Sequence, residues 1–302
     1  MKSMKREAKS AAKRAFTLIE IMVATVIMVV LVGLVVQITS EVLKVWTRSS
    51  GKLAANAEAR IAMELLTQDL ETAVFRNNGL QWLRVEAPLD PGGDYTDQTV
   101  ALHLFAPALD RPTEDESGND LAGDICGIAY RLAFKQSYPG GNNVYALYRY
   151  IEDPETTFND LLGPSSSVAD AQQSLTGGIW DEANVTADVN YLVSNIVEFK
   201  VFIHEAGGSV TAPVNGTSAG QVTTNYAFGG SDATETGGSQ QPLLYADIVL
   251  TVVSDEGLQI LQNLAENRAG TGYANTAEGV ANVVREHGEV YTRRVNFMAQ
   301  AL

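Results

Sequence analysis

Residues 16–36 read FTLIEIMVATVIMVVLVGLVV and hold a single charge, Glu20; the next charged residue is Glu41. Helical residues rise about 1.5 Å each, so this run spans about 30 Å, the thickness of a bilayer's hydrocarbon core. It reads as one transmembrane helix. The fifteen residues ahead of it, MKSMKREAKSAAKRA, carry Lys2, Lys5, Arg6, Lys9, Lys13 and Arg14 against one acid, Glu7. That segment is +5 in a chain of net charge −15, so the remainder carries −20. Basic residues before the run and none directly after it place the N-terminus in the cytoplasm and the bulk of the chain outside.

A cleavable secretory signal would end in small residues with an A-x-A-like site. This run ends in Val35, Val36, Gln37, Ile38 and Thr39, a poor match. Glu20 also sits inside the apolar stretch. A carboxylate there is costly, and it reads as a functional residue with a partner.

The stretch Lys13-Arg14-Ala15-Phe16-Thr17-Leu18-Ile19-Glu20-Ile21 resembles the processing site of type IV prepilins and type II secretion pseudopilins. The resemblance implies that a prepilin peptidase cuts between Ala15 and Phe16 on the cytoplasmic face and N-methylates Phe16. It implies that Glu20 becomes the fifth mature residue and serves assembly. It also implies that the partners are that peptidase, other pilin or pseudopilin subunits and inner-membrane lipid. The departure is Ala15, where the family nearly always has Gly; a small residue still fits. Cleavage would create an α-ammonium on Phe16, and Glu20 could pair with the ammonium of a neighbouring subunit. In an apolar filament core that pairing would offset the cost of burying both charges.

The helix is expected to continue to about residue 75. Residues 37–75 lack Pro, and Ile38, Val42, Val45, Leu53, Ala57, Ile61, Leu65, Leu70 and Val74 recur near helical spacing. A kink or fraying is expected at Arg48-Ser49-Ser50-Gly51, and a stop at Asn77-Asn78-Gly79. The expected domains are a cytoplasmic leader, 1–15, a long helix, 16–76, and an extracytoplasmic head, 77–302.

From residue 80 the pattern turns to strands rich in Val, Ile, Tyr and Phe. Candidates are 80–86, 99–106, 125–136, 144–151, 196–204, 243–254 and 289–298. Ser-Tyr-Pro-Gly-Gly-Asn-Asn marks a hairpin between the third and fourth. A short helix fits Asp255 to about Arg268, capped by Ser254 or Asp255. The fold class is α+β, pilin-like: a long helix, half transmembrane and half amphipathic, packed on a mainly antiparallel β head. The segments NIVEFKVFIH and PLLYADIVLTVVS, with EARIAMELLTQDLETA in the stem, resemble J-type minor pseudopilins, which are large subunits with two sheets. The run from Arg285 to Val295 resembles the prepilin-like Verru_Chthon cassette protein C family.

Two loops stand out. Residues 110–124, DRPTEDESGNDLAGD, hold six acids. Their main reading is a solvated loop, with Asp115, Asp120 and Asp124 as weak calcium candidates. Residues 207–241 hold eight Gly among Ser, Thr, Asn and Gln and read as a flexible surface insertion.

No cofactor other than that calcium is expected, and no catalytic motif is found: the chain has no phosphate loop, HExxH pair or Gly-x-Ser-x-Gly elbow. His103 and His204 read as structural histidines in strands, His287 as an exposed residue near a turn, and Cys126 as a buried thiol. The acidic balance argues against nucleic acid as a partner of the head. The expected function is a minor pilin or pseudopilin of a type IV pilus-like or type II secretion filament, not an enzyme. The alternative is a filament-tip adhesin or binding module on a pilin stem. An uncleaved membrane-anchored enzyme ranks last.

Overall fold

The computed structural model describes residues 17–75, 81–89, 99–108, 110, 120, 123–136, 140–162, 175, 177–206, 210–211, 226–228, 238–239, 243–266 and 272–297. One helix, α1 (Leu18–Glu71), opens the described chain. The chain divides into two units, 1–49 and 50–302.

In the first unit every described α1 side chain up to Thr47 is exposed, including Leu18, Val29, Leu31 and Trp46. α1 is long and apolar enough to cross a membrane by length and composition. Exposed side chains of this kind need an apolar surrounding other than water. Thr25, Thr39 and Thr47 satisfy their hydroxyls on the carbonyls of Met22, Val35 and Leu43 at 2.8, 2.8 and 2.9 Å. Those bonds pair the three hydroxyls within the helix. Residues 48–51 are helical, without the fraying that the sequence allowed there.

In the second unit the same helix packs against a sheet. Ala55, Ala59, Ala62, Met63, Leu66 and Leu70 are buried, a row at i, i+3 and i+4 spacing. Of the stripe expected from the sequence, Leu70 is buried and Val74 packs on the core, whereas its members up to Ile61 are exposed. Leu53 and Ile61 are 68% and 53% exposed, and Ala57 is exposed too. The alanines win the inner face because a short side chain lets the helix backbone lie close to the strands. Glu58 supports this docking by accepting from the Ser194 N–H and hydroxyl at 3.2 and 2.8 Å. α1 ends at Glu71, after which the Val74 N–H donates to the Phe105 carbonyl at 2.7 Å. Residues 77–79, the expected stop, lie outside the described residues.

The strands are β1 (Leu83–Leu89), β2 (Thr99–Pro107), β3 (Ile125–Gln136), β4 (Asn143–Ile151), β5 (Tyr191–Ser194), β6 (Ile196–Glu205), β7 (Val210–Thr211), β8 (Tyr226–Phe228), β9 (Gly238–Ser239), β10 (Leu243–Val253) and β11 (Gly288–Asn296). Pairing is mainly antiparallel, with the exceptions β2 with β6 and β8 with β9. One block runs β9-β8-β1-β2-β3-β4-β5 and the other joins β7, β6, β10 and β11. Among the described residues the two blocks are joined as paired strands at one residue pair, Thr99 with Phe199. Their shared core holds Leu66, Leu70, Phe105, Ile128, Phe199 and Ile248, all essentially inaccessible to solvent. Cys126 is buried there.

A charged cluster ties α1 to the sheet. Arg149 on β4 donates from Nε and Nη2 to the two oxygens of Asp69 at 2.9 and 3.1 Å. Its Nη1 reaches Asp110 at 2.5 Å, and the Tyr130 hydroxyl donates to Asp69 at 2.5 Å. Asp69 and Arg149 are both buried. Burial alone would depress the guanidinium's pKa; Tyr130, Asp69 and Asp110 outweigh it and raise the pKa above its ordinary value. The Tyr130 hydroxyl is pushed well up by burial and by the Asp69 charge.

Two helices follow β10. α2 (Asp255–Ala265) is capped by Ser254, whose hydroxyl accepts from Gly257 N–H at 3.3 Å. α3 (Ala277–His287), capped by Thr276, was not expected from the sequence. It corrects the reading of His287, which is buried at 7% exposure. The two helices approach closely at Gly257, where an added Cβ would stand 2.6 Å from the His287 Cβ. The Gly-rich stretch is corrected as well. β8 lies inside it, pairs with β1, and buries Ala227 and Phe228 beside Trp82.

Candidate functional site

The site is the start of α1. Ala15 and Phe16 lie outside the described residues, so the geometry begins at Thr17. The Thr17 N–H and hydroxyl both donate to Glu20 Oε2 at 3.1 Å. In return the Glu20 N–H donates to Thr17 Oγ1 at 3.3 Å. This is a reciprocal capping box, Thr-x-x-Glu, which satisfies donors that a helix start leaves open. Ile21 N–H then closes the first turn on the Thr17 carbonyl at 3.3 Å. A carboxylate in the first turn is also favoured by the helix dipole.

Sequence reading gave Glu20 a role between subunits and missed this one within the chain. The signal was Thr17 standing three residues ahead of Glu20. The two roles are compatible, because an ionised carboxylate has about four acceptor sites. The capping box draws on one oxygen, and further donors can approach the same group. The charged hydrogen bonds also lower the cost of holding Glu20 in an apolar surrounding.

The remaining candidates separate. Asp115 lies outside the described residues. Asp120 and Asp124 are exposed. Among the described residues no group of three or more His, Cys, Asp or Glu is placed to hold a metal ion. His103 is buried, lies 3.1 Å from the Leu175 carbonyl through Nδ1, and stacks on Trp180. Burial lowers its pKa. His204 Nε2 lies 3.2 Å from Asp247, which Arg294 also holds at 2.7 and 2.9 Å. The Arg294 hydrogen bonds lower the Asp247 pKa. Both histidines sit in structural contacts.

Residues 10–36 match the family model described as the prokaryotic N-terminal methylation motif. The match spans Lys13 to Ile21 and the apolar run, and it leaves the head unmatched. A solved structure, the type IV-like pilin TTHA1219 from Thermus thermophilus, is similar over 80% of this chain and 94% of its own. Its sequence identity is 10% and the TM-score is 0.34. No curated protein matches the chain.

Proposed function

We propose that this chain is a minor pilin or pseudopilin, a subunit of a type IV pilus-like or type II secretion filament. The observation that carries the reading is the methylation-motif match over residues 10–36, with Glu20 in the first turn of an exposed apolar helix. In this reading the subunit waits in the inner membrane with its head outside. Prepilin peptidase removes residues 1–15 and methylates Phe16. Thr17 holds Glu20 in the capping box while the helix is in lipid. During assembly the carboxylate takes the Phe16 ammonium of a neighbour as a further partner. A charge pair formed in an apolar medium sets register, because misaligned stems would leave both charges unpaired. The exposed row Leu53, Ala57 and Ile61 supplies apolar surface for a neighbouring stem.

The test is Glu20→Gln, which keeps acceptor capacity for the cap and removes the charge. Membrane insertion should be unchanged, while incorporation into sheared filaments should fall by about tenfold or more, the equivalent of about 1.4 kcal/mol. Incorporation equal to wild type would refute the pairing.

A further inference from the structure

The head carries a feature that the filament reading does not use. β4 pairs with β3 along its whole length, whereas β5 pairs with Ala146, Leu147 and Tyr148 only. Among the described residues, Arg149, Tyr150 and Ile151 therefore have no strand on the β5 side. A groove of about 740 Å³ opens there. The end of β4 forms one wall and residues 179–192 supply the other. Val189 stands on that second wall at 91% exposure, with Tyr191 beside it at 38%. An open strand end flanked by an exposed valine and tyrosines is the surface that an extended peptide can extend as a further strand.

Charge selects the occupant. Asp69 and Asp110 both bind the one guanidinium of Arg149, so among the described residues the cluster sets two carboxylates against one cation. Asp69 is sealed inside, while the Asp110 side chain is 53% exposed and lines the groove. Residues 178–192 add Asp181, Glu182 and Asp188 and contain no Lys or Arg. Arg131 and Lys135 engage Glu182 and Asp188 at 2.6 and 3.6 Å. Asp181 is exposed. A second copy of this acidic chain meets like charge, whereas a basic segment meets complementary charge.

We propose that this groove docks an extended, basic segment of a partner protein, with a lysine or arginine set against Asp110 and the peptide backbone alongside Arg149–Ile151. The proposal is independent of the filament reading, since it concerns the head alone. The probes are two labelled peptides, acetyl-Val-Thr-Lys-Thr-Val-amide and its Glu counterpart, added to the full chain in detergent and read by fluorescence anisotropy. The Lys peptide should bind saturably, about tenfold tighter than the Glu peptide. Asp110→Asn should weaken it by about tenfold. Val189→Arg, a change at an exposed site that leaves the core alone, should abolish binding by crowding and repulsion. Three results would each overturn the proposal: no saturable binding of the Lys peptide, equal binding of the two peptides, or indifference to both variants. Concentration-dependent dimerisation that Val189→Arg removes would do so too, assigning the groove to a second copy.

Discussion

The two halves of α1 solve opposite problems with the same backbone. Through Val36 the helix presents large apolar side chains on every side, and every described α1 side chain up to Thr47 is exposed. After residue 50 it presents a narrow inner row dominated by alanine, with Met63, Leu66 and Leu70 towards its end, and buries a carboxylate, Asp69. The first half is built for a surrounding that is apolar everywhere; the second is built for one specific neighbour. Large side chains suit lipid because they need no fixed partner. Small ones suit a sheet because close approach rewards shape, and a buried Asp is tolerated only where Arg149 and Tyr130 meet it.

The sharpest break should come from that pair. Asp69→Ala leaves Arg149 buried with one of its two carboxylates gone, and should cost the head about 3–5 kcal/mol. Val29→Ala, in the first half, should leave head stability unchanged. Urea denaturation of the full chain in detergent, followed by tyrosine and tryptophan fluorescence, separates the two. Next comes packing: Ala59→Leu forces extra methylenes between helix and sheet and should cost about 1–3 kcal/mol in the same assay.

Acidification should act on the head through His103, on β2. His103 has its pKa lowered by burial from an ordinary 6.5. The neutral form is the native one, so its contribution is full above that value and declines as pH falls below it. Thermal melts should show the head losing stability through that range, and His103→Gln should flatten the slope. Within the head unit the smallest effect on stability belongs to Ile61→Ser, within about 0.5 kcal/mol because the site is exposed. The same variant should still lower filament incorporation if that row meets a neighbouring stem.

Much of the architecture was legible because local rules sufficed. β3 has the bounds expected from its hairpin with β4, and Ser254, one of the two caps the sequence offered, caps α2. The misses share a cause: tertiary partners. The inner face of α1 could not be phased from apolarity, because the sheet selects small residues over Leu53 and Ile61. α3 was hidden by Gly279 and by a β-branched run. Thr276 as N-cap, with Val280, Val283, Val284 and His287 at helical spacing, was the available signal. β8 is three residues within a Gly-rich stretch, and pairing with β1 makes it a strand. At the site, composition exposed Glu20, while its bond to Thr17 needed the three-residue spacing to be read as a cap.

The most direct test of the account is the intact mass of the membrane-bound protein, produced with and without a prepilin peptidase. The account expects loss of residues 1–15 and gain of one methyl group when the peptidase is present, despite Ala15. A chain that stays uncut beside an active peptidase would contradict it, and α1 would then be a fixed anchor for the head.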